Sequence, residues 1–240
     1  MALPMMNTPT YSLVIPSTGE KVRYRPFLVK EEKALLIAQQ SEETEVMVES
    51  LKQVIGGCVL DKINVEELAT FDIEYIFTQI RAKSVGEVVE LLFPCDEDHG
   101  EDQDKAKLKI SIDISNLEVE FPEGHSKKID LFGDVGVVMK YPSFNVMSKL
   151  ENLDITNVDN IFDVIASCID IIYQGEEIYY AKEQSKEELL DFLYNLTNDQ
   201  FVKLQQFFAK MPKISKTVEY NCPLCGKHHS VTLEGMQSFF

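Results

Sequence analysis

The stretch Leu51-Lys-Gln-Val54-Ile55-Gly-Gly-Cys58-Val59 returns later in the chain as Ile161-Phe-Asp-Val164-Ile165-Ala-Ser-Cys168-Ile169. With Cys58 laid over Cys168, apolar residues fall at i, i+3, i+4 and i+8 in both copies. That is the stripe of an amphipathic helix, and its recurrence says that the chain is written twice.

Reading outward from the two copies extends the match. Downstream, Asn64 is followed three residues later by Glu67, and Ser185 by Glu188, both in the manner of a capping box. A second helix starts near Thr70-Phe-Asp72 in one half and Thr197-Asn-Asp199 in the other, ending about Ala82-Lys83 and Ala209-Lys210. Strand-like runs follow: Val85 to Phe93 leads into Cys95, and Ser215 to Asn221 leads into Cys222. Alternating strands then return over Leu108 to Ile112 and Ser230 to Leu233, so each half closes on a β-hairpin with a cysteine at its tip.

Upstream, Tyr11 to Ile15, the turn Pro16-Ser-Thr-Gly19 and Val22 to Tyr24 form a hairpin ending on Arg25-Pro26-Phe27. The second half offers Leu117 to Phe121, Pro122, and Gly136 to Lys140, running into Tyr141-Pro142-Ser-Phe144. The expected fold is therefore α+β with an internal duplication. Each repeat is a β-hairpin, a small helical bundle and a terminal zinc-ribbon-like β-hairpin. The first repeat spans 11–115 and the second 116–240, behind an N-terminal extension 1–10, with the two copies related by a pseudo-twofold.

The sharpest motif is Asn221-Cys-Pro-Leu-Cys225-Gly-Lys-His228-His229. Two thiolates separated by two residues can share one ion on a tight turn, and Gly226 gives that turn room. A tetrahedral zinc ion needs four ligands: Cys222 and Cys225, with two drawn from His228, His229, Cys95 and His99. The first hairpin tip reads Cys95-Asp-Glu-Asp98-His99-Gly100, with Asp98 where the repeat calls for a second cysteine. If the tips meet, Cys95 and His99 complete a Cys₃His site; otherwise His228 or His229 closes a local one. The zinc is expected to be structural, because no His-Glu-x-x-His motif or open coordination position is in view. Metal-free reduced thiols and a redox pair are the competing readings.

Composition narrows the function classes. A net charge of −17 over 240 residues argues against nucleic-acid binding and against docking on an anionic membrane. No stretch approaches the roughly 20 apolar residues of a bilayer span. Residues 1–10 carry no basic residue ahead of a hydrophobic run, so they do not read as a secretory signal. Five cysteines, an odd number, favour free thiols and metal ligands over a disulfide framework.

The six acidic side chains within 96–104 fail the Ca²⁺-loop spacing and read as a solvated loop. Cys58 and Cys168 read as buried packing residues, and His125 as a surface residue in a polar turn. Phosphate-loop, nucleophile-elbow and dinucleotide fingerprints are missing, so no catalytic residue is assigned. The closing aromatics Phe239 and Phe240 either fold back onto the knuckle or meet another chain.

Taken together, Tyr24-Arg-Pro-Phe-Leu-Val-Lys-Glu-Glu-Lys33 with Leu35-Leu36, Ile80-Arg-Ala-Lys-Ser84, Tyr141-Pro-Ser143 and the terminal Cys-Pro-x-Cys-Gly with Ser-Phe-Phe resemble the baseplate hub and baseplate hub assembly proteins of T4-like myophages. The resemblance runs from about Tyr11 to Phe240. It implies a non-catalytic role in building the central hub of the tail baseplate, as an assembly factor (chaperone) or as a hub component. It implies other phage tail and hub proteins as partners, in the host cytoplasm during assembly or in the virion baseplate, with an oligomer left open. Tyr24 to Lys33 and the aromatic tail are the expected partner contacts; the duller account of Tyr24 to Lys33 is a strand entering a helix at Pro26, with Leu35 and Leu36 packed inward. Two other classes stand beside this: a zinc-ribbon-bearing adaptor that binds protein outside the tail, and an enzyme of unrecognised type.

Overall fold

The structure is a computed structural model that describes residues 7–41, 43–143, 146 and 158–239. It is a mixed α+β chain built from several small antiparallel sheets and short helices. Two compact units divide it. Unit 1 comprises Met1–Val65, Phe71–Glu120 and Lys213–Phe240, and unit 2 comprises Glu66–Thr70 and Phe121–Pro212. Among the described residues no helix is long and apolar enough to cross a membrane.

Unit 1 opens with the hairpin β1 (Tyr11–Val14) and β2 (Lys21–Tyr24), in the register Leu13↔Val22 and Tyr11↔Tyr24. Strand alternation sends Leu13, Val22 and Tyr24 inward. Helices α1 (Val29–Ser41) and α2 (Thr44–Cys58) follow and pack together. The end of α2 is tied to β2: Arg25 N–H donates to the Cys58 carbonyl at 3.0 Å and Leu60 N–H to that of Arg23 at 2.8 Å. The Arg25 guanidinium reaches both Gly57 O at 2.7 Å and the buried Glu31 carboxylate at 2.9 Å. Burial raises the Glu31 carboxyl, but hydrogen bonds from Arg25 and from Leu28 N–H outweigh it and hold it below its ordinary range.

Helix α3 (Thr70–Ser84) supplies the wall of the core, with Ile73, Ile76 and Ile80 fully enclosed. Hairpin β3 (Val88–Phe93) and β4 (Leu108–Asp113) is one side. Strand β5 (Val119–Glu120) pairs with β10 (Lys213–Asn221), which pairs in turn with β11 (His228–Glu234). Ala82, Val89, Phe93, Ile112, Ile214, Tyr220 and Phe239 form one apolar cluster between these elements. Phe239 therefore packs back, at 1% exposure. Phe240 lies outside the described residues.

Unit 2 carries a four-stranded antiparallel sheet in the order β6 (Lys128–Phe132), β7 (Val135–Met139), β8 (Ile169–Gln174), β9 (Glu177–Tyr180). Helices α4 (Val158–Ser167), α5 (Lys186–Tyr194) and α6 (Asn198–Ala209) belong to the same unit. Leu131, Val137, Ile165, Leu193, Leu204 and Phe207 share its core. Full capping boxes start α5 at Ser185 with Glu188, and α6 at Thr197 with Gln200. Only glycine fits at 136, where an added Cβ would lie 2.5 Å from the Ile129 carbonyl and 2.1 Å from the Tyr173 hydroxyl.

Four sequence expectations are corrected here. Leu117 to Phe121 does not pair with Gly136 to Lys140: β5 joins β10, and β7 lies between β6 and β8. Ile169 does not extend the helical stripe, because the chain turns at Cys168 into β8. His125 is not simply a surface residue, since its ring lies 5.6 Å from that of Tyr141 and 5.1 Å from that of Phe207 and meets the Tyr141 hydroxyl at 3.0 Å. Leu36 does not pack inward but is 53% exposed. Cys58 and Cys168 are buried, and burial pushes both thiols up to about 11.

Candidate metal centre

The two cysteine-tipped hairpins of unit 1 meet at their tips. The Phe93 and Tyr220 rings sit 5.3 Å apart, and the Tyr220 hydroxyl donates to the Pro94 carbonyl at 2.7 Å, pinning Cys95 opposite Cys222. Lys227 reaches from the second tip to Glu97 at 2.6 Å and Asp96 at 3.6 Å on the first.

Both tips are local turns of the same kind, each with a backbone N–H directed at a cysteine sulfur. Glu97 N–H points to the Cys95 sulfur at 3.5 Å, and Leu224 N–H to the Cys222 sulfur at 3.4 Å, each two residues on. The second turn closes through Gly226 N–H to Cys222 O at 3.0 Å, with Gly226 at φ 73°. The first cannot repeat this, because Asp98 stands in the second cysteine's place and its carboxylate accepts from Gly100 N–H at 2.8 Å. The chain instead lifts His99. Gln103 holds it there, accepting from His99 N–H at 2.8 Å and donating to Cys95 O at 3.2 Å.

As a result the ligand atoms of Cys95, His99, Cys222 and Cys225 all lie within 4.8 Å of one another. Cys95 Sγ is 3.9 Å from Cys225 Sγ, and Cys222 Sγ is 3.6 Å from His99 Nε2. A tetrahedral zinc ion with bonds of about 2.3 Å to sulfur and about 2.0 Å to nitrogen needs S···S near 3.8 Å and S···N near 3.6 Å, roughly the separations seen. Burial pushes the Cys222 thiol up, but N–H groups of Cys225 and Leu224, with the neighbouring thiols, bring it down to about 6. Burial holds Cys95 above its ordinary value. A thiolate ready at neutral pH is what a soft divalent cation requires.

His228 and His229 stay outside the cluster. His228 is exposed and meets Asn221 Oδ1 at 3.2 Å. His229 is buried, stacked on Tyr220 at 5.0 Å, with Nδ1 3.3 Å from Asp96. Adjacent residues of a strand point to opposite faces, so the pair splits. The supporting Gln103 and Lys227 escape sequence reasoning, because a glutamine in an acidic loop and a lysine beside a knuckle carry no signal before the tips are docked.

The sequence profile of the family described as T4 bacteriophage base plate protein matches residues 8–240. The chain belongs to that family. Among curated relatives, this base plate protein is 26% identical over 226 residues to "Baseplate hub assembly protein gp26" of Enterobacteria phage T4, covering 92% of this chain and 94% of the relative. No solved structure matches it.

Proposed function

We propose that this base plate family protein acts, without catalysis, in building the central hub of a phage tail baseplate, as assembly factor or as hub component. The observation that carries this is the end-to-end match to the T4 hub assembly protein, which leaves no large segment of either chain unaccounted for. Partners on this reading are other tail and hub proteins, met in the host cytoplasm during assembly. Val29, 79% exposed on α1, supports a partner-facing role for Tyr24 to Lys33, and Leu36 at 53% and Ile37 at 54% exposure continue the apolar surface beyond it. No observation favours an adaptor outside the tail. An affinity-tagged copy expressed during infection is expected to bring down hub proteins, and infection without the gene to yield tails lacking a hub. Normal tails and no hub protein bound would refute the assignment; presence in purified tails separates component from assembly factor.

Within that role we assign Cys95, His99, Cys222 and Cys225 as ligands of one structural zinc ion. Four protein donors fill a tetrahedron and leave no open position for substrate. What the ion supplies is a cross-link between two hairpins, each too small to be stable alone.

The duplication over 11–115 and 116–240 is also our reading. It is supported by a shared hydrogen bond: Arg25 N–H donates to Cys58 O at 3.0 Å, and Lys140 N–H to Cys168 O at 2.8 Å. It is supported again by the twin N–H···S turns at Cys95 and Cys222. On this reading the β8–β9 hairpin is an insertion in the second copy, whose last hairpin lies in unit 1.

A further inference from the structure

We propose that unit 2 carries a cationic cleft that docks carboxylate side chains of an acidic segment on a partner protein. A cleft of about 200 Å³ opens beside the turn before β6 and the last turns of α6, lined by His125, Lys128, Lys203, Gln206, Phe207 and Lys210. Lys127 stands next to it, its ammonium 4.5 Å over the Tyr141 ring, which stacks on Phe207 at 5.6 Å. The segment 121–212 holds fifteen acids against eight lysines and no arginine, yet Lys203 and Lys210 line this cleft and Lys127 borders it, while Lys128 lines it too but holds its ammonium 4.8 Å over the Tyr173 ring.

Among the described residues Lys127, Lys128, Lys203 and Lys210 have no carboxylate within ion-pair distance, whereas Lys186 of the same unit is paired with Asp163 at 2.8 Å. Lys203 is held in place by carbonyls instead, donating to Asp130 O and Leu131 O at 2.8 Å each. An ammonium has three donors, so one remains for a ligand while the full charge is kept. Holding that side chain in advance removes much of the entropy that an exposed lysine loses on binding. Lysine charge reaches the cleft wall: burial first, then Lys127 and Lys210, hold His125 below its ordinary value.

The cleft is built for one side chain at a time. It falls below the roughly 300 Å³ of ordinary small-molecule pockets. The α6 end that faces it is a helix C-terminus, whose dipole opposes any anion and a dianion such as phosphate more than a single carboxylate, so the lysines must outweigh it. The half-buried His125 ring in the cleft wall suits the methylenes of a glutamate below its charged head. The proposal stands on this cleft alone and does not depend on the hub assignment.

The test uses the full chain with a fluorescein-labelled glutamate-rich peptide, followed by anisotropy in low salt. Binding is expected, weakening as salt is raised, because screening acts on exposed charge. Lys127→Glu with Lys210→Glu should weaken it by about tenfold or more, in protein that circular dichroism shows to be folded. Lys182→Glu with Lys186→Glu, the same charge change elsewhere in unit 2, should leave most of it. Should the reversed pair perturb folding, Lys127→Gln with Lys210→Gln gives the same comparison. No binding, an equal loss from both reversed pairs, or tighter binding of inorganic phosphate or single-stranded DNA than of the peptide would each overturn the proposal.

Discussion

Glu74 holds a charge where the fold would prefer none, and removing it should stabilise the protein only above a definite pH. The residue sits on α3 beneath the C-terminal turn, where Met236 N–H donates to its carboxylate. Gly235 closes over it, its would-be Cβ 3.6 and 3.9 Å from the two carboxylate oxygens. Burial raises the carboxyl from 4.5 to about 6, the Met236 hydrogen bond opposing it. The native state therefore binds more protons than the unfolded chain between these two values, and stability falls as pH rises through the window. Above it the full penalty is present, about 2 kcal/mol for a shift of this size. Glu74→Gln keeps the acceptor for Met236 N–H and removes the titration. Urea unfolding of both proteins, followed through the unit 1 transition, should give the variant an advantage of about 2 kcal/mol at pH 7.5, shrinking to about 0.8 kcal/mol at pH 5. Taking the difference cancels every other titrating group. An advantage that does not change with pH, or one that grows on acidification, would refute the argument.

Elemental analysis of protein purified without chelator should find about one zinc per chain, and Cys222→Ser with Cys225→Ser should lose it together with several degrees of melting temperature. Folded, reduced protein without metal would remove the zinc assignment. Gly136→Ala drives a methyl group into the Ile129 carbonyl and the Tyr173 hydroxyl, and should cost about 1–3 kcal/mol in denaturant melts. Ser185→Ala removes the hydroxyl that accepts from Glu188 N–H and should cost about 1 kcal/mol. An unchanged midpoint for either variant would contradict the packing or the cap.

Local signals in the sequence were reliable, and partner choice was not. The alternation in Tyr11 to Tyr24 with a turn at Pro16 to Gly19 could only be a hairpin, and the structure has one. Ser185 with Glu188 reads as a capping box because all its atoms lie within four residues. The strand over Lys128–Phe132 escaped notice because its polar positions blend into a lysine-rich turn. The β8–β9 hairpin was hidden by Ile169, which continues the helical spacing from Ile161 although the chain has already turned. Pairing β5 with β10 joins residues more than ninety positions apart, which no local pattern encodes. At the candidate metal centre the sequence offers all four clustered residues, but it does not choose His99 over His228 and His229. That choice rests on the docking of two hairpins, fixed by Tyr220 and Pro94.

The discontinuity of unit 1 sets an order of events during synthesis. Cys95 and His99 emerge from the ribosome long before Cys222 and Cys225, and the whole of 121–212 is made between them. Unit 2 is nearly continuous, so every residue of its core is available once 212 has been made. Unit 1, though begun first, must wait for β10 and β11 to complete its core and its cysteine-histidine cluster. The usual N-terminal-first succession is thus reversed here. Until the last hairpin arrives, β3, β4 and α3 expose an unfinished apolar surface, and a ribosome stalled after residue 212 holds a chain able to close only one of its two cores.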